Sequence, residues 1–275
     1  MDKVSIIIPT YNESSCIGDL LQSLQDLDPQ PHEVIVVDGG SDDDTVEIVK
    51  AYKVRCIESE KLGRAAQLHL GAIQSSGDIL CFLHADTFAP KDLVIVVEAT
   101  LQNTSVALAG FRSIMKGAYN QRFTTVHNRI KTYYVPFIYS PYRTLFKGLR
   151  LLFGDQLMFC RKKDYLKGGG FNPQMMIMEE ADLCIRMNRV GRIKQIGRKV
   201  YSSDRRVAKW GVFKSHVFLL LLHLFGPWVC LTGSSLSFIH IFGNVSFPAE
   251  SALNSFYRLI IITIFMSTNV VFLLT

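Results

Sequence analysis

The sequence predicts an α/β fold built on a largely parallel sheet, and three observations predict it. Short apolar or β-branched runs recur and stop on turn residues. Segments with helical spacing separate them. The fourth run, Ile79-Leu80-Cys81-Phe82-Leu83, ends abruptly on His84-Ala85-Asp86. Strand and helix alternating at this pitch make βαβ units. An unbroken apolar run suits a strand buried on both faces, and its polar end marks the carboxyl edge, where open α/β sheets bind ligands.

Val4-Ser5-Ile6-Ile7-Ile8, closed by Pro9, gives the first strand, with Thr10-Tyr11-Asn12-Glu13 as the loop behind it. Ile17, Leu20, Leu21, Leu24 and Leu27 recur at helical spacing, and Asp28-Pro29 stops that helix. Residues 33–37 form a second strand, ended by Asp38-Gly39-Gly40-Ser41-Asp42; residues 45–52 read as helix and 54–57 as a third strand. Gly63-Arg64-Ala65-Ala66-Gln67 opens a helix to about residue 75, ahead of the fourth strand at 79–83. Residues 101–153 carry Arg112, Lys116, Lys131 and Arg150, among others, between many tyrosines and phenylalanines. They read as a pair of amphipathic helices with basic side chains laid along their flanks, or as an acceptor-side surface facing an anionic or lipid-linked molecule. Gly154-Asp155-Gln156 then interrupts the chain. Residues 157–160 look like strand, Gly168-Gly169-Gly170-Phe171 a turn, and Glu179-Glu180-Ala181-Asp182 opens a helix ended by Gly191. Residues 200–206 read as strand and basic loop before Trp210-Gly211.

The turn after the first strand, Pro9-Thr10-Tyr11-Asn12-Glu13, has no glycine, which excludes the Gly-x-Gly-x-x-Gly dinucleotide fingerprint and with it a nicotinamide or flavin enzyme. The net charge of +6 is modest and forms no aromatic-laced basic run, so it suggests small anionic ligands or an anionic lipid surface, not nucleic acid. Six scattered cysteines without Cys-x-x-Cys predict reduced packing residues in a cytosolic compartment. The N-terminus enters a strand directly, with no signal pattern. Residues 215–275 hold only two charges, Glu250 and Arg258, so the expected division is a catalytic domain at 1–214 and a hydrophobic, membrane-associated region at 215–275. The apolar run 217–231, broken by Gly226-Pro227, falls short of the ~20 residues that span hydrocarbon. Extension to Phe242 through Thr232-Gly233-Ser234-Ser235 gives sufficient length, and the run 259–275 is marginal. A spanning hairpin, interfacial helices and helices folded back over the sheet all remain open. Lys199, Arg205, Arg206, Lys209 and Lys214 precede the first run and would keep the catalytic domain on the cytosolic side.

His84 and Asp86, two apart on an extended chain, point the same way and could share a divalent cation or its phosphates. The alternative is that Asp86 caps a following helix and His84 is packed core.

In combination these residues resemble glycosyltransferase family 2, inverting enzymes with a GT-A fold, a Rossmann-like, mostly parallel sheet flanked by helices. The similarity is carried by residues 4–13, Val36-Val37-Asp38-Gly39-Gly40-Ser41, Gly63-Arg64-Ala65-Ala66-Gln67, Leu83-His84-Ala85-Asp86-Thr87, Gly154-Asp155-Gln156, Gly169-Gly170-Phe171 and Met178-Glu179-Glu180. It is similar in particular to the radical-SAM/selenodomain-associated branch, also linked to arsenosugar synthesis. The resemblance implies that Pro9, Thr10, Tyr11, Glu13 and Asp38 hold the nucleoside of a nucleotide-sugar donor. Gly63, Arg64, Gln67 and Arg206 would lie at the sugar and diphosphate. Asp86, with His84 where many members carry a first aspartate, would bind magnesium or manganese on the diphosphate. Glu180 or Glu179 would be the general base, with Asp155 beside them; Glu180 stands where the family has aspartate. No Gln-x-x-Arg-Trp motif is present, which implies transfer of a single sugar to a small or lipid-linked acceptor. A non-catalytic nucleotide-sugar-binding or scaffold protein on the same fold is the competing class. A nucleotidyltransferase would want a glycine-rich basic loop that Pro9-Thr10-Tyr11-Asn12 does not supply.

Overall fold

In the computed structural model, which describes residues 2–61, 63–116, 122–175 and 178–203, the first half of the chain alternates strand and helix as the periodicity predicts. β1 (Val4–Thr10), α1 (Ser14–Gln25), β2 (Glu33–Asp38), α2 (Thr45–Ala51), β3 (Arg55–Glu58), α3 (Arg64–Gln74) and β4 (Ile79–Phe82) follow one another. Then come β5 (Thr87–Phe88), α4 (Leu93–Leu101), β6 (Val106–Lys116), α5 (Arg122–Tyr139) and α6 (Pro141–Phe146). A single 3-10 turn at Gly154–Gln156 leads to β7 (Met158–Arg161), α7 (Lys162–Lys167), α8 (Glu179–Met187) and β8 (Arg192–Ser203).

The strands make one sheet in the order β3-β2-β1-β4-β7-β6-β8-β5. β1 lies parallel to β2 and β4, and β2 parallel to β3. Ile6, Ile7 and Ile8 are buried, as a strand covered on both faces requires. β1 pairs with β4 only from Val4 to Ile7, so Pro9 lies beyond that ladder and its missing N–H costs nothing on that side. The apolar stripe of α1, Ile17, Leu20, Leu21 and Leu24, covers one face.

Four findings depart from the sequence reading. β7 enters antiparallel between β4 and β6, so the parallel character breaks in mid-sheet. The stretch expected to be a helix pair begins instead with the eleven-residue strand β6, which lies parallel to β8. Its small residues Ala107, Ala109 and Gly110 let neighbouring elements close on it, and those neighbours decide its conformation. β8 starts at Arg192, well before residue 200, and α8 stops at Met187, short of Gly191. Asn188 ends that helix by donating from its side chain to the Lys147 carbonyl at 2.9 Å. Five cysteines, Cys16, Cys56, Cys81, Cys160 and Cys184, are free thiols. Arg205, Arg206, Lys209, Trp210, Cys230 and the whole hydrophobic region 215–275 lie outside the described residues. Among the described residues, no helix is long and apolar enough to cross a membrane.

Candidate functional site

The carboxyl ends of β1 and β2 lie side by side, with Thr10 opposite Asp38. Asp38 is buried and fully engaged. Its Oδ2 accepts the backbone N–H groups of Gly40 and Ser41 at 2.9 and 2.8 Å, and its Oδ1 accepts the Thr10 and Ser41 hydroxyls at 3.0 and 2.6 Å. Asn12, in left-handed backbone at φ 53°, donates its N–H to Ser41 Oγ and accepts from Asp42 N–H, both at 2.9 Å. The Glu13 N–H donates to Thr45 Oγ1 at 2.9 Å. Pro9, Thr10, Glu13 and Asp38 therefore sit in one stitched double loop from which Tyr11 projects, exposed. Gln67, expected beside the sugar and diphosphate, serves this platform from behind. Its amide nitrogen donates to the Thr10 carbonyl at 2.6 Å and the Val37 carbonyl at 2.9 Å, clamping both strand ends.

Gly63 starts α3 at φ 121°, ψ 137°, backbone that only glycine adopts at low cost, and Arg64 follows it into the helix. Next to Arg64, α8 begins on Glu179 and Glu180, 1% and 5% exposed. Arg64, itself 36% exposed, spans both carboxylates: its Nε donates to Glu179 Oε1 and a terminal nitrogen lies 2.7 Å from Glu180 Oε1. Met178, ahead of the pair, holds left-handed backbone at φ 61°, a strain of ~1–3 kcal/mol of the sort that clusters at functional sites. Burial pushes the Glu180 carboxyl up to about 7 against the pull of Arg64, and the charges of Glu179 and Asp155 push the same way. Lys131, buried on α5 with its Nζ 3.8 Å from the Phe153 ring centre, is pulled below the usual lysine range by desolvation, which Asp155 and Glu180 oppose.

His84 and Glu180 converge on Gly154. A Cβ added there would stand 2.6 Å from Glu180 Oε1 and overlap the imidazole. Gly154→Ala is therefore expected to displace one of the two and lower activity ~100-fold, the scale of an ångström's misplacement. Initial rates on protein of unchanged circular dichroism check this.

Asp86 is buried between the end of β4 and β8, where its carbonyl accepts the Ser203 N–H at 3.1 Å. It caps no helix. β5 follows it directly, and α4 is capped by Asp92. Among the described residues, no group of three or more His, Cys, Asp or Glu is placed to hold a metal alone. Asp86 and His84 offer two ligands at most. They suit a hard cation that takes the rest of its shell from phosphate and water, as magnesium does.

Sequence reasoning left two features out of the site. Lys131 entered only as one of the basic residues of a possible acceptor-side surface, with nothing to set it apart from the others. The second is a brace in which Gln156 donates to Thr132 Oγ1 at 3.1 Å and accepts from Gln195 at 3.2 Å, fixing the Asp155 turn between α5 and β8.

A mostly parallel sheet flanked by helices, as this chain has, is the GT-A fold. Residues 5–167 match Glycosyl transferase family 2, and the chain belongs to that family. It is 36% identical over 115 residues to "Glycosyltransferase AglE" of Haloferax volcanii, covering 39% of this chain and 38% of that protein. It is 31% identical over 121 residues to the dolichol-phosphate mannosyltransferase of Pyrococcus furiosus, covering 42% of this chain and 34% of the relative. The matched stretch thus spans little more than a third of these curated relatives. Among solved structures, glucosyl-3-phosphoglycerate synthase from Mycobacterium tuberculosis, in complex with Mn2+, UDP and phosphoglyceric acid, superposes with TM-score 0.56 at 20% identity. That likeness covers 80% of this chain and 78% of the synthase, and it speaks to the fold alone.

Proposed function

We propose that this chain is an inverting glycosyltransferase that moves one sugar from a nucleoside-diphosphate sugar to an acceptor hydroxyl near a membrane. The observation that carries it is the buried acid pair of α8, with Glu180 held at about 7, where a general base works best. In this reading Glu180 takes the acceptor's proton as its oxygen bonds to sugar C1. The bond from C1 to the diphosphate breaks on the opposite face, inverting the centre. Glu179 anchors Arg64, Asp155 sits beside the pair, and Arg64 offers positive charge at the cleft. Pro9, Thr10, Tyr11, Glu13 and Asp38 frame the nucleoside, with Gly63 shaping the approach. Asp86 and His84 would hold a magnesium or manganese ion on the diphosphate. When bound, that ion neutralises charge on the leaving group. Arg206 would touch the same diphosphate.

The acceptor is read as a small molecule or a lipid-linked one; a relative named for dolichol phosphate supports the second. The radical-SAM-associated branch remains the finer family assignment, on the motifs quoted above. Residues 215–275 would attach the domain 1–214 to the cytosolic face. One observation favours a second reading. Arg64 pairs with both acids, which suits a non-catalytic nucleotide-sugar binder on the same fold.

The test is thermal stabilisation by UDP-, GDP- and dTDP-sugars with magnesium or manganese, followed by donor turnover with and without metal. A donor at ~100 times its Kd should add about 2.7 kcal/mol of stability. Stabilisation without turnover at any acceptor supports the binder, and no stabilisation by any donor overturns both readings.

A further inference from the structure

Helices α5 and α6 carry apolar side chains on their outward faces. α5 buries Val135 together with Lys131 and Thr132, while Ile130, Tyr133 and Phe137 face solvent. α6 buries Thr144 and exposes Tyr142, Leu145 and Phe146, the last at 70%. The spacings 130, 133, 137 and 142, 145, 146 put each set on one helical stripe. The inward sides are already committed, Thr132 to Gln156 and Thr144 through its hydroxyl to the Ser140 carbonyl at 2.9 Å. Two adjacent outward apolar stripes mark an interaction surface, not scattered exposure.

Charge identifies the occupant. Between Glu98 and Asp155 the chain has no acidic residue and eight lysines and arginines. Arg129 and Lys147 are exposed beside the stripes, and the Arg150 guanidinium lies 5.2 Å from the Tyr133 ring centre. A second copy docked on this face would bring the same cations against each other, because a two-fold interface is self-complementary. An anionic bilayer meets both features.

We infer that the α5–α6 face seats in an anionic lipid surface. Its aromatic and aliphatic stripes enter the acyl boundary, and Arg129, Lys147 and Arg150 lie among headgroup phosphates. This deepens the membrane part of the proposed function and rests on that reading only for its use, delivery of a lipid-linked acceptor. It places the lipid contact on the catalytic domain itself. The Asp155 brace would then lie one helix thickness, about 10 Å, from the bilayer.

The experiment is co-sedimentation of the full chain with phosphatidylcholine vesicles with and without phosphatidylglycerol, in low and high salt. Two double variants are compared: Tyr133→Ser with Phe137→Ser, and Arg129→Glu with Lys147→Glu. Each should lower the phosphatidylglycerol-dependent binding at least ~10-fold. Binding contributed by residues 215–275 would persist on neutral vesicles in every protein. The charge reversals sit at exposed positions and decide the matter if the serine variant precipitates. Unchanged binding of the charge-reversed variant overturns the inference. So does a wild-type dimer that this variant abolishes, which would make the face a contact between copies. Thermal stabilisation by the donor in vesicle-free buffer is measured in parallel and should not change. Its absence with every donor in wild type would overturn the proposed function and leave the lipid result standing.

Discussion

Glu180→Gln is expected to lower sugar transfer by ~10²–10⁴-fold, the range of a lost general base, while donor binding stays close to wild type. Glutamine keeps the shape against Gly154 and Arg64 but cannot take a proton. In the proposed role the base would meet the acceptor and not the diphosphate, so kcat should carry the loss. Wild-type kcat/KM should rise with pH through about 7 as Glu180 ionises, and the variant's residual rate should lose that limb. Stability moves the other way. A glutamate raised from its ordinary ~4.3 to about 7 in the fold contributes stability below the lower value and loses it as pH rises through the upper. Glutamine does not titrate. The variant should therefore gain about 1–3 kcal/mol on wild type between pH 5 and pH 8, read from thermal melts at both. If Glu180→Gln transfers normally while Glu179→Gln is dead, the two roles exchange. If both stay active, the base lies elsewhere.

Legibility in the sequence followed how local each decision is. β1 through β4 and their helices were readable because each carries its own period and its own stop, as with Asp28-Pro29 after α1. β6 was not. Its partners β7 and β8 come some tens of residues later, and Ala107, Ala109 and Gly110 leave no alternation to read until Phe111. For α5 and α6 the apolar spacing was visible in sequence, but which side faces the sheet was not. On α5 the inward side carries Lys131 and Thr132 beside Val135, with Phe153 and Gln156 meeting the first two. In the site, His84 and Asp86 stood out because they end a buried strand, whereas Asp38, Gln67 and the Glu179-Glu180 pair entered through the family resemblance. Gln67 was expected at the sugar and diphosphate, yet its amide holds two backbone carbonyls. Whether a polar group meets a ligand or the backbone is fixed by tertiary neighbours that spacing does not encode.

Asp86→Asn should lower metal-dependent transfer at least ~100-fold, a size set by losing the charge that holds a catalytic cation. The substitution is nearly isosteric. The backbone is pinned by the Ser203 N–H on the Asp86 carbonyl and by β5 pairing with β8 through Thr87 and Ser202. An asparagine in that frame presents a neutral oxygen where a hard divalent ion needs a carboxylate, and with no group of three His, Cys, Asp or Glu among the described residues to hold the ion the loss is not shared out. The deficit should be partly recovered by raising manganese, because weakened affinity, unlike a broken fold, responds to mass action. Manganese binding in the presence of UDP, followed by calorimetry, gives a readout that needs no turnover and should weaken in parallel. His84→Ala should act in the same direction with a smaller effect, since imidazole supplies no charge. An Asp86→Asn protein that melts like wild type and keeps most of its metal-dependent turnover would remove Asp86 from the metal site. The cation, if one is used, would then be held by other residues.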